Sequence, residues 1–152
     1  MHKRDSFVDK VQIRKLVKED AHEISRIYTA ITRNAVDSDF KRVIEEHALR
    51  DDQACFVAEH EDKVVGFMIS YILTAGFGIT KSAWIATLGV DPNFMGMGIG
   101  ASLAEEIFKY YNAQGIENVY TSVRWDSTDL LSFFKTLGFD RSNFINLRKT
   151  IE

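Results

Sequence analysis

The sequence predicts an α+β (mixed α/β) fold in one domain spanning residues 1–152, and three observations carry that prediction. The chain has 152 residues, within the span of roughly 100–200 of one ordinary domain. Hydrophobic residues make up 45% and charged residues 27%, with eleven Phe, enough to bury a core. Apolar residues switch along the chain between helical spacing and strand-like alternation or continuous runs, with strands concentrated in the middle and helices on either side.

Residues 1–9 carry no apolar pattern and are expected to form a flexible tail. Val11–Leu16 alternates as a first strand. A helix follows from about Glu19, with Ala21, Ile24, Ile27, Tyr28 and Ile31 spaced by three or four. The polar run Asn34–Ser38 links it to a second helix, with Phe40, Val43, Ile44 and His47 or Ala48 on one face. Cys55–Ala58 is a short strand, and His60–Lys63 turns the chain into a long strand, Val64–Leu73. Trp84–Val90 is the next strand. Asp91-Pro92-Asn93 stops it, and a glycine-rich run leads into a helix with Ile99, Leu103, Ile107 and Tyr110 on one side, ending by Gly115. Ile116–Val123 reads as a strand, Ser127 as the start of a helix carrying Leu130, Phe133, Phe134 and Leu137, and Phe144–Thr150 as a last strand.

Composition excludes several classes. Nineteen basic residues against 22 acidic ones give a net charge of −3, without the basic excess of a nucleic-acid binder. The single Cys55 allows no intrachain disulfide and no multi-cysteine zinc site. His22, His47 and His60 have no metal-ligand spacing, so no metal is expected. The start of the chain has no apolar stretch of the signal-peptide kind. The uncharged run Val64–Thr80 is short for a membrane span and is broken by Gly66, Gly76 and Gly78, so it reads as a strand and loop. A cytoplasmic protein without a membrane partner is expected.

The most informative stretch is Phe94-Met95-Gly96-Met97-Gly98-Ile99-Gly100. Alternating glycines before an amphipathic helix let several N–H groups converge with the helix dipole behind them, which makes a phosphate or pyrophosphate site. Gly96-x-Gly98-x-x-Ala101 also matches a dinucleotide fingerprint, with Glu117 about twenty residues on. Asp91–Met95 separates these glycines from the strand, Glu117 falls at the wrong end of its strand, and too little chain follows for the second half of such a sheet. Gly76–Ser82 resembles a phosphate loop in its Lys-Ser ending only, since no Gly precedes Lys81 and a strand follows.

The run Val90-Asp91-Pro92-Asn93-Phe94-Met95-Gly96-Met97-Gly98-Ile99-Gly100-Ala101-Ser102-Leu103 closely resembles the acyl-CoA motif of the GNAT N-acetyltransferase superfamily. A second family landmark stands downstream as Phe133-Phe134-Lys135-Thr136-Leu137-Gly138-Phe139, and the element order matches from about Val11 to Thr150. The resemblance implies a central, mostly antiparallel, splayed sheet flanked by helices on both faces. It implies acetyl-CoA as acyl donor, a primary amine as acceptor, and direct attack in a ternary complex. Amides from Met95 through Gly96, Met97, Gly98, Ile99 and Gly100 to Ala101 would cradle the pyrophosphate. Leu88, Gly89 and Val90 would pair with the pantetheine arm, and an N–H near Val90 would polarise the thioester. Many relatives also dimerise, which makes a homodimer an expectation of the resemblance.

Several positions depart from the family pattern. Met95 stands where Arg or Gln is usual, Met97 where a basic residue is common, and Ser127 where Asn is common. Phe134 replaces a Tyr usually assigned to protonating the departing thiolate. The strand before the loop carries no carboxylate, so Asp126 is the candidate base, with a helix-capping charge as its alternative. Tyr71 and Tyr120 are candidate proton donors to the thiolate, or core aromatics. Cys55, flanked by Phe56 and Val57, reads as buried rather than nucleophilic. Asp37 and Asp39 would face a cationic acceptor or solvent; Arg124 would bind an acceptor carboxylate or lie on the surface. The chain after Gly138 is short for a covering hairpin, so an open acceptor side is expected. These departures sustain an alternative function, a non-catalytic acyl-CoA-binding or regulatory module.

Overall fold

Residues 10–33, 38–50, 53–74 and 81–152 are described by the computed structural model of the chain. The expected flexible tail at 1–9, Asp37, and most of the Gly76–Ser82 stretch lie outside them. Among the described residues five strands form one sheet in sequential order: β1 (Gln12–Lys15), β2 (Cys55–His60), β3 (Lys63–Leu73), β4 (Ser82–Val90) and β5 (Val119–Thr121). The first four pair antiparallel, and β5 runs parallel to β4. The helices are α1 (Ala21–Thr32), α2 (Ser38–Ala48), α3 (Ile99–Ala113) and α4 (Thr128–Thr136). This is the mixed α+β architecture that the sequence predicts.

The sheet separates two cores. Ile24 and Ile27 of α1 and Ile44 of α2 pack with Leu16, Val57, Phe67 and Ile69 on one face. On the other, Ile99, Leu103 and Ile107 of α3 and Phe134 of α4 pack with Ala58, Met68, Ala83 and Ile85. The three-or-four spacing of each helix's apolar residues produces these stripes. β3 is buried on both faces, which is why it reads as an apolar run. A bulge lies between its pairs Ala58↔Gly66 and Glu59↔Val64. The extra residue, Val65, therefore joins Gly66 on the α3 side, while Val64 before them and Phe67 after them join the α1 side.

Side chains fasten the entry to α1. Arg14 of β1 makes two 2.9 Å hydrogen bonds to the carboxylate of Asp20 and a 2.8 Å bond to Glu59. Asp20 is buried and also accepts the Val17 amide, closing the turn before α1.

Two expectations are corrected. The strand read over Ile116–Val123 is only Val119–Thr121, because β5 parts from β4 after three paired residues. The last strand read over Phe144–Thr150 is absent: residues 141–152 form no helix or strand, and all of them are exposed. Alternation alone does not make a strand: residues 144–150 join no ladder among the described residues, although β5 beside them is an edge of the sheet.

Candidate acyl-CoA site

The parting of β4 and β5 is the centre of the site. β5 pairs with Ala83, Trp84 and Ile85 and no further, so Ala86–Val90 keeps an unpaired edge on that side. A bulge marks the fork. Ile69 pairs with Thr87 and Ser70 with Ile85, which leaves Ala86 as the extra, exposed residue of β4. Across the fork, the Thr121 hydroxyl donates to the Ile85 carbonyl at 3.0 Å, capping the last shared position. The candidates Leu88, Gly89 and Val90 lie on the open stretch. Gly89 is packed against its cross-strand partner: a Cβ there would meet the Phe67 ring at 2.7 Å and Ile31 at 3.0 Å.

Beyond Val90 the chain turns through a 3-10 segment, Pro92–Phe94, and enters α3. Gly96 and Gly98 have φ of 78° and 80°, the left-handed region that glycine occupies without penalty. An added Cβ at either would meet nothing within 4 Å, so each glycine opens onto clear space. The first helical hydrogen bond of α3 runs from the Ser102 amide to the Gly98 carbonyl at 3.1 Å. The amides of Ile99, Gly100 and Ala101 thus have no intrahelical acceptor and supply the donor end of a 15-residue helix. Gly100 also lets α4 approach, since a Cβ there would sit 3.1 Å from the Phe133 ring. Met95 is exposed and Met97 packs against the α3 core, so neither supplies a charge.

Asp91 fixes the entrance to the loop. It is 3% exposed, its amide bonds the Val65 carbonyl at 2.8 Å, and its carboxylate accepts from the Asn93 amide at 3.0 Å. Arg26, from the middle of α1, donates to Asp91 at 3.2 Å, to the Val64 carbonyl at 3.3 Å and to Glu23 at 3.0 Å. Burial acts to lower the Arg26 pKa, but its hydrogen bonds to the Asp91 and Glu23 carboxylates outweigh it and hold the guanidinium above its ordinary value. The sequence reading missed Arg26, because 65 residues separate it from its partner.

Tyr71 and Tyr120 stand on the strands either side of β4, with Trp84 between them. Tyr71 of β3 pairs with Trp84 of β4, which pairs with Tyr120 of β5, so the three aromatics form one row across the sheet. Trp84 and Tyr120 stack at 4.9 Å, and the Trp84 indole N–H donates to Ser82 at 2.9 Å. Trp84 was not singled out in the sequence; only register shows its place between two tyrosines. Asp126 lies outside this row. It is exposed and held by Arg124 in two 3.0 Å hydrogen bonds, which lower its pKa below the ordinary carboxylate value. Ser127 precedes α4 without a side-chain cap; its carbonyl accepts the Leu131 amide. Phe134 is buried between Phe133 and Phe139, at ring distances of 5.2 and 5.1 Å. Cys55 is buried, and burial pushes its thiol up to about 11, which keeps it protonated at neutral pH. Asp39 is exposed and pairs with Arg42 at 3.4 Å.

Among the described residues, no group of three or more His, Cys, Asp or Glu is placed to hold a metal ion, and no helix is long and apolar enough to cross a membrane. The strand order is that of one mostly antiparallel sheet, not the doubly wound sheet of the dinucleotide reading.

The model of the acetyltransferase (GNAT) family matches residues 21–139, from the first helix through the second landmark. The chain belongs to this family. Among curated relatives, a mycothiol acetyltransferase of Amycolatopsis mediterranei is 30% identical over 103 residues, which cover 66% of this chain and 34% of that protein. An uncharacterized N-acetyltransferase of Methanocaldococcus jannaschii is 30% identical over 99 residues, covering 63% and 43%. The chain thus matches less than half the length of these relatives. Among solved structures, an aminoglycoside N-acetyltransferase in complex with CoA aligns with a TM-score of 0.80 at 16% identity, covering 92% of this chain and 94% of that one. An aminoglycoside acetyltransferase from a soil metagenomic sample, in complex with sisomicin, aligns at 0.79 and 21%, covering 96% and 99%. At these identities the structures establish the fold.

Proposed function

We propose that the chain is an N-acetyltransferase that moves an acetyl group from acetyl-CoA to a primary amine by direct attack in a ternary complex. The observation that carries this reading is the junction of an unpaired strand edge, Ala86–Val90, with a glycine-opened helix N-terminus at Gly96–Ala101. The edge offers N–H and C=O groups to the amides of a pantetheine arm. The helix end, which the chain reaches directly after that edge, offers its free donors to the pyrophosphate.

In this scheme the neutral amine attacks the thioester carbonyl carbon, and an N–H near Val90 receives the developing oxyanion. Collapse breaks the C–S bond and releases CoA thiolate, while the nitrogen gives up its proton. Tyr120, one residue before the fork, and Tyr71 are the hydroxyls proposed to protonate the thiolate. Phe134 has none to give. The ion pair with Arg124 makes Asp126 a poor proton acceptor, so the amine proton passes to water. Loss of a dedicated acid is tolerable because a thiol with a pKa near ~8.5 is a fair leaving group. The aromatic row of Tyr71, Trp84 and Tyr120 suits a cationic acceptor, which ring faces attract.

The test is a thermal-shift titration with acetyl-CoA, CoA and NAD in parallel, followed by thiol detection across an amine panel. A rise of several degrees with both CoA species but not NAD, with amine-dependent thiol release, supports the enzyme. The burial of Phe134 among other rings favours a second reading, a non-catalytic acyl-CoA-binding module, which gives the shift without turnover. No shift with either CoA species removes both.

Arg26 supplies a finer prediction. Arg26→Ala frees the Asp91 carboxylate from α1 and loosens the loop entrance, so the KM for acetyl-CoA is expected to rise about 3–10-fold with kcat at saturation little changed. Arg26→Lys keeps the charge but not the forked contacts and should recover part of the loss. Steady-state kinetics at fixed acceptor checks both.

A further inference from the structure

We propose that the acceptor is a polyamine, with one ammonium group resting on the aromatic row Tyr71–Trp84–Tyr120 while a second, uncharged nitrogen attacks the thioester at the open edge of β4. This deepens the acetyl-transfer reading and rests on it.

Among the described residues the row lies outside both cores. Side chains alternate along a strand. Ile72, Ala83, Ile85 and Val119, the chain neighbours of the three aromatics, pack on the α3 side of the sheet. Tyr71, Trp84 and Tyr120 therefore point to the α1 side, yet none of them packs into the α1 core around Phe67 and Ile69. α1 reaches β4 further along, at Gly89, where Ile31 lies against it. The three rings are left half-buried. Trp84 gives one ring face to Tyr120, at 4.9 Å and 22° between planes, and its indole N–H is fixed by Ser82. Its other face is turned toward β3 and Tyr71. A fixed, half-exposed indole face is the best ring site for a cation.

A ring face and a nucleophilic amine make opposite demands. At neutral pH an aliphatic amine with a pKa of ~10 is nearly all ammonium, and only the uncharged form attacks. A ring that attracts the ammonium favours the charged form and cuts the uncharged fraction by about 2–30-fold. A monoamine on the row is thus held in the wrong protonation state. A polyamine separates the two tasks. The ammonium on the row supplies affinity, and its charge lowers the pKa of the next nitrogen in the same molecule. The site needs that help, because Ser82–Val90 carries no carboxylate and Asp126 is tied to Arg124. The charged residues lining the cavity beyond β5, Lys135, Asp140 and Arg141, are of both signs, which leaves recognition of the cation to the rings.

Spacing follows from the strand. The open edge Ala86–Val90 begins just past Trp84, with Ala86 as the bulged residue. At ~3.3 Å per residue, row and edge are separated by roughly 7–17 Å along β4, and the two nitrogens must be spaced on that scale. The attacking lone pair forms the C–N bond, the C–S bond breaks with its electron pair on sulfur, and the proton left on the nitrogen passes to water. The ammonium on the row keeps its protons throughout.

The test measures thiol release from acetyl-CoA with butylamine, phenethylamine, diamines of increasing chain length, and spermidine. The kcat/KM for spermidine is expected to exceed that for butylamine at least about 30-fold. Along the diamine series it is expected to rise about 10-fold with length. That rise runs against the intrinsic trend, since separation relaxes the repulsion that keeps one nitrogen uncharged. Trp84→Leu is expected to cut the spermidine value about 5–10-fold, and Trp84→Phe to restore part of it. Should Trp84→Leu not fold, the diamine series on the unaltered chain decides. Equal values for butylamine and spermidine, phenethylamine as the better acceptor, a flat diamine series, or a Trp84→Leu chain with the full spermidine preference would each overturn the proposal. Thiol release from no amine, with spermidine still raising the melting midpoint in a Trp84-dependent way, would remove acetyl transfer and leave the ammonium site standing.

Discussion

A Gly98→Val variant is expected to bind acetyl-CoA about 30–100-fold more weakly than the wild type. Gly98 sits at φ 80° immediately before α3, and its carbonyl accepts both the Ser102 amide and the Ser102 hydroxyl. A side chain at such an angle costs ~1–2 kcal/mol, and a β-branched one stands at the upper end. The backbone escapes that cost by rotating out of the left-handed region, which turns the following amides away from their common focus. The valine methyls also occupy the clear space in front of them. A combined loss of about 2–3 kcal/mol corresponds to the stated range. Isothermal titration with acetyl-CoA measures it. Gly115→Val is the control: Gly115 has φ 76° at the other end of α3, with equally open surroundings. It should lose similar stability while keeping its affinity for acetyl-CoA. Equal affinities in the two variants would separate the glycine loop from ligand binding and remove the ground for the proposed function.

That contrast also shows what the sequence can convey about the site. Alternating glycines before a periodic helix are a local pattern, so the loop is legible, and so are the α1 stripe and the α3 stripe as far as Ile107; past it the spacing points to Tyr110, where the structure buries Tyr111. The row Tyr71–Trp84–Tyr120 is not legible, because it depends on two strand registers, one shifted by the extra residue Ala86. A one-residue bulge leaves no mark in composition, yet it decides which side chains share a face. Arg26 and Asp91 meet across 65 residues for the same kind of reason. The contact between Arg124 and Asp126, two residues apart, was within reach of local reasoning, and it weakens Asp126 as a base. The 144–150 stretch shows the opposite limit: its alternation predicts a strand, but a ladder also needs a partner in register, and these residues pair with no other segment among the described residues.

Tyr111→Phe is expected to destabilise the fold by about 1–3 kcal/mol, which lowers the melting midpoint by roughly 3–9 °C in a domain of this size. Tyr111 lies on the buried face of α3, and burial raises the pKa of its hydroxyl. That hydroxyl accepts the Ala54 amide at 3.0 Å and meets the Ser70 hydroxyl at 2.8 Å; Ser70 in turn donates to the Ala54 carbonyl. The Cys55 thiol donates to the Ser70 carbonyl at 3.3 Å. Four residues from β2, β3, α3 and the segment before β2 thus satisfy each other where water does not reach. Removing the phenol oxygen keeps the ring's packing and leaves the Ala54 N–H buried without an acceptor. Ser70→Ala instead leaves the Ala54 carbonyl without its donor while the Ala54 N–H keeps its bond. If the groups act as one network, the double variant loses less than the sum of the two single losses, since each single change already disrupts the other's partner. Denaturant unfolding of the four proteins measures the coupling. Strict additivity would mean that Tyr111 and Ser70 hold α3 to the sheet independently. The site consequence is direct, because the helix pinned at Tyr111 is the one whose first turn presents Ile99, Gly100 and Ala101. A loosened α3 should therefore also weaken acetyl-CoA binding, by less than the change at Gly98 does.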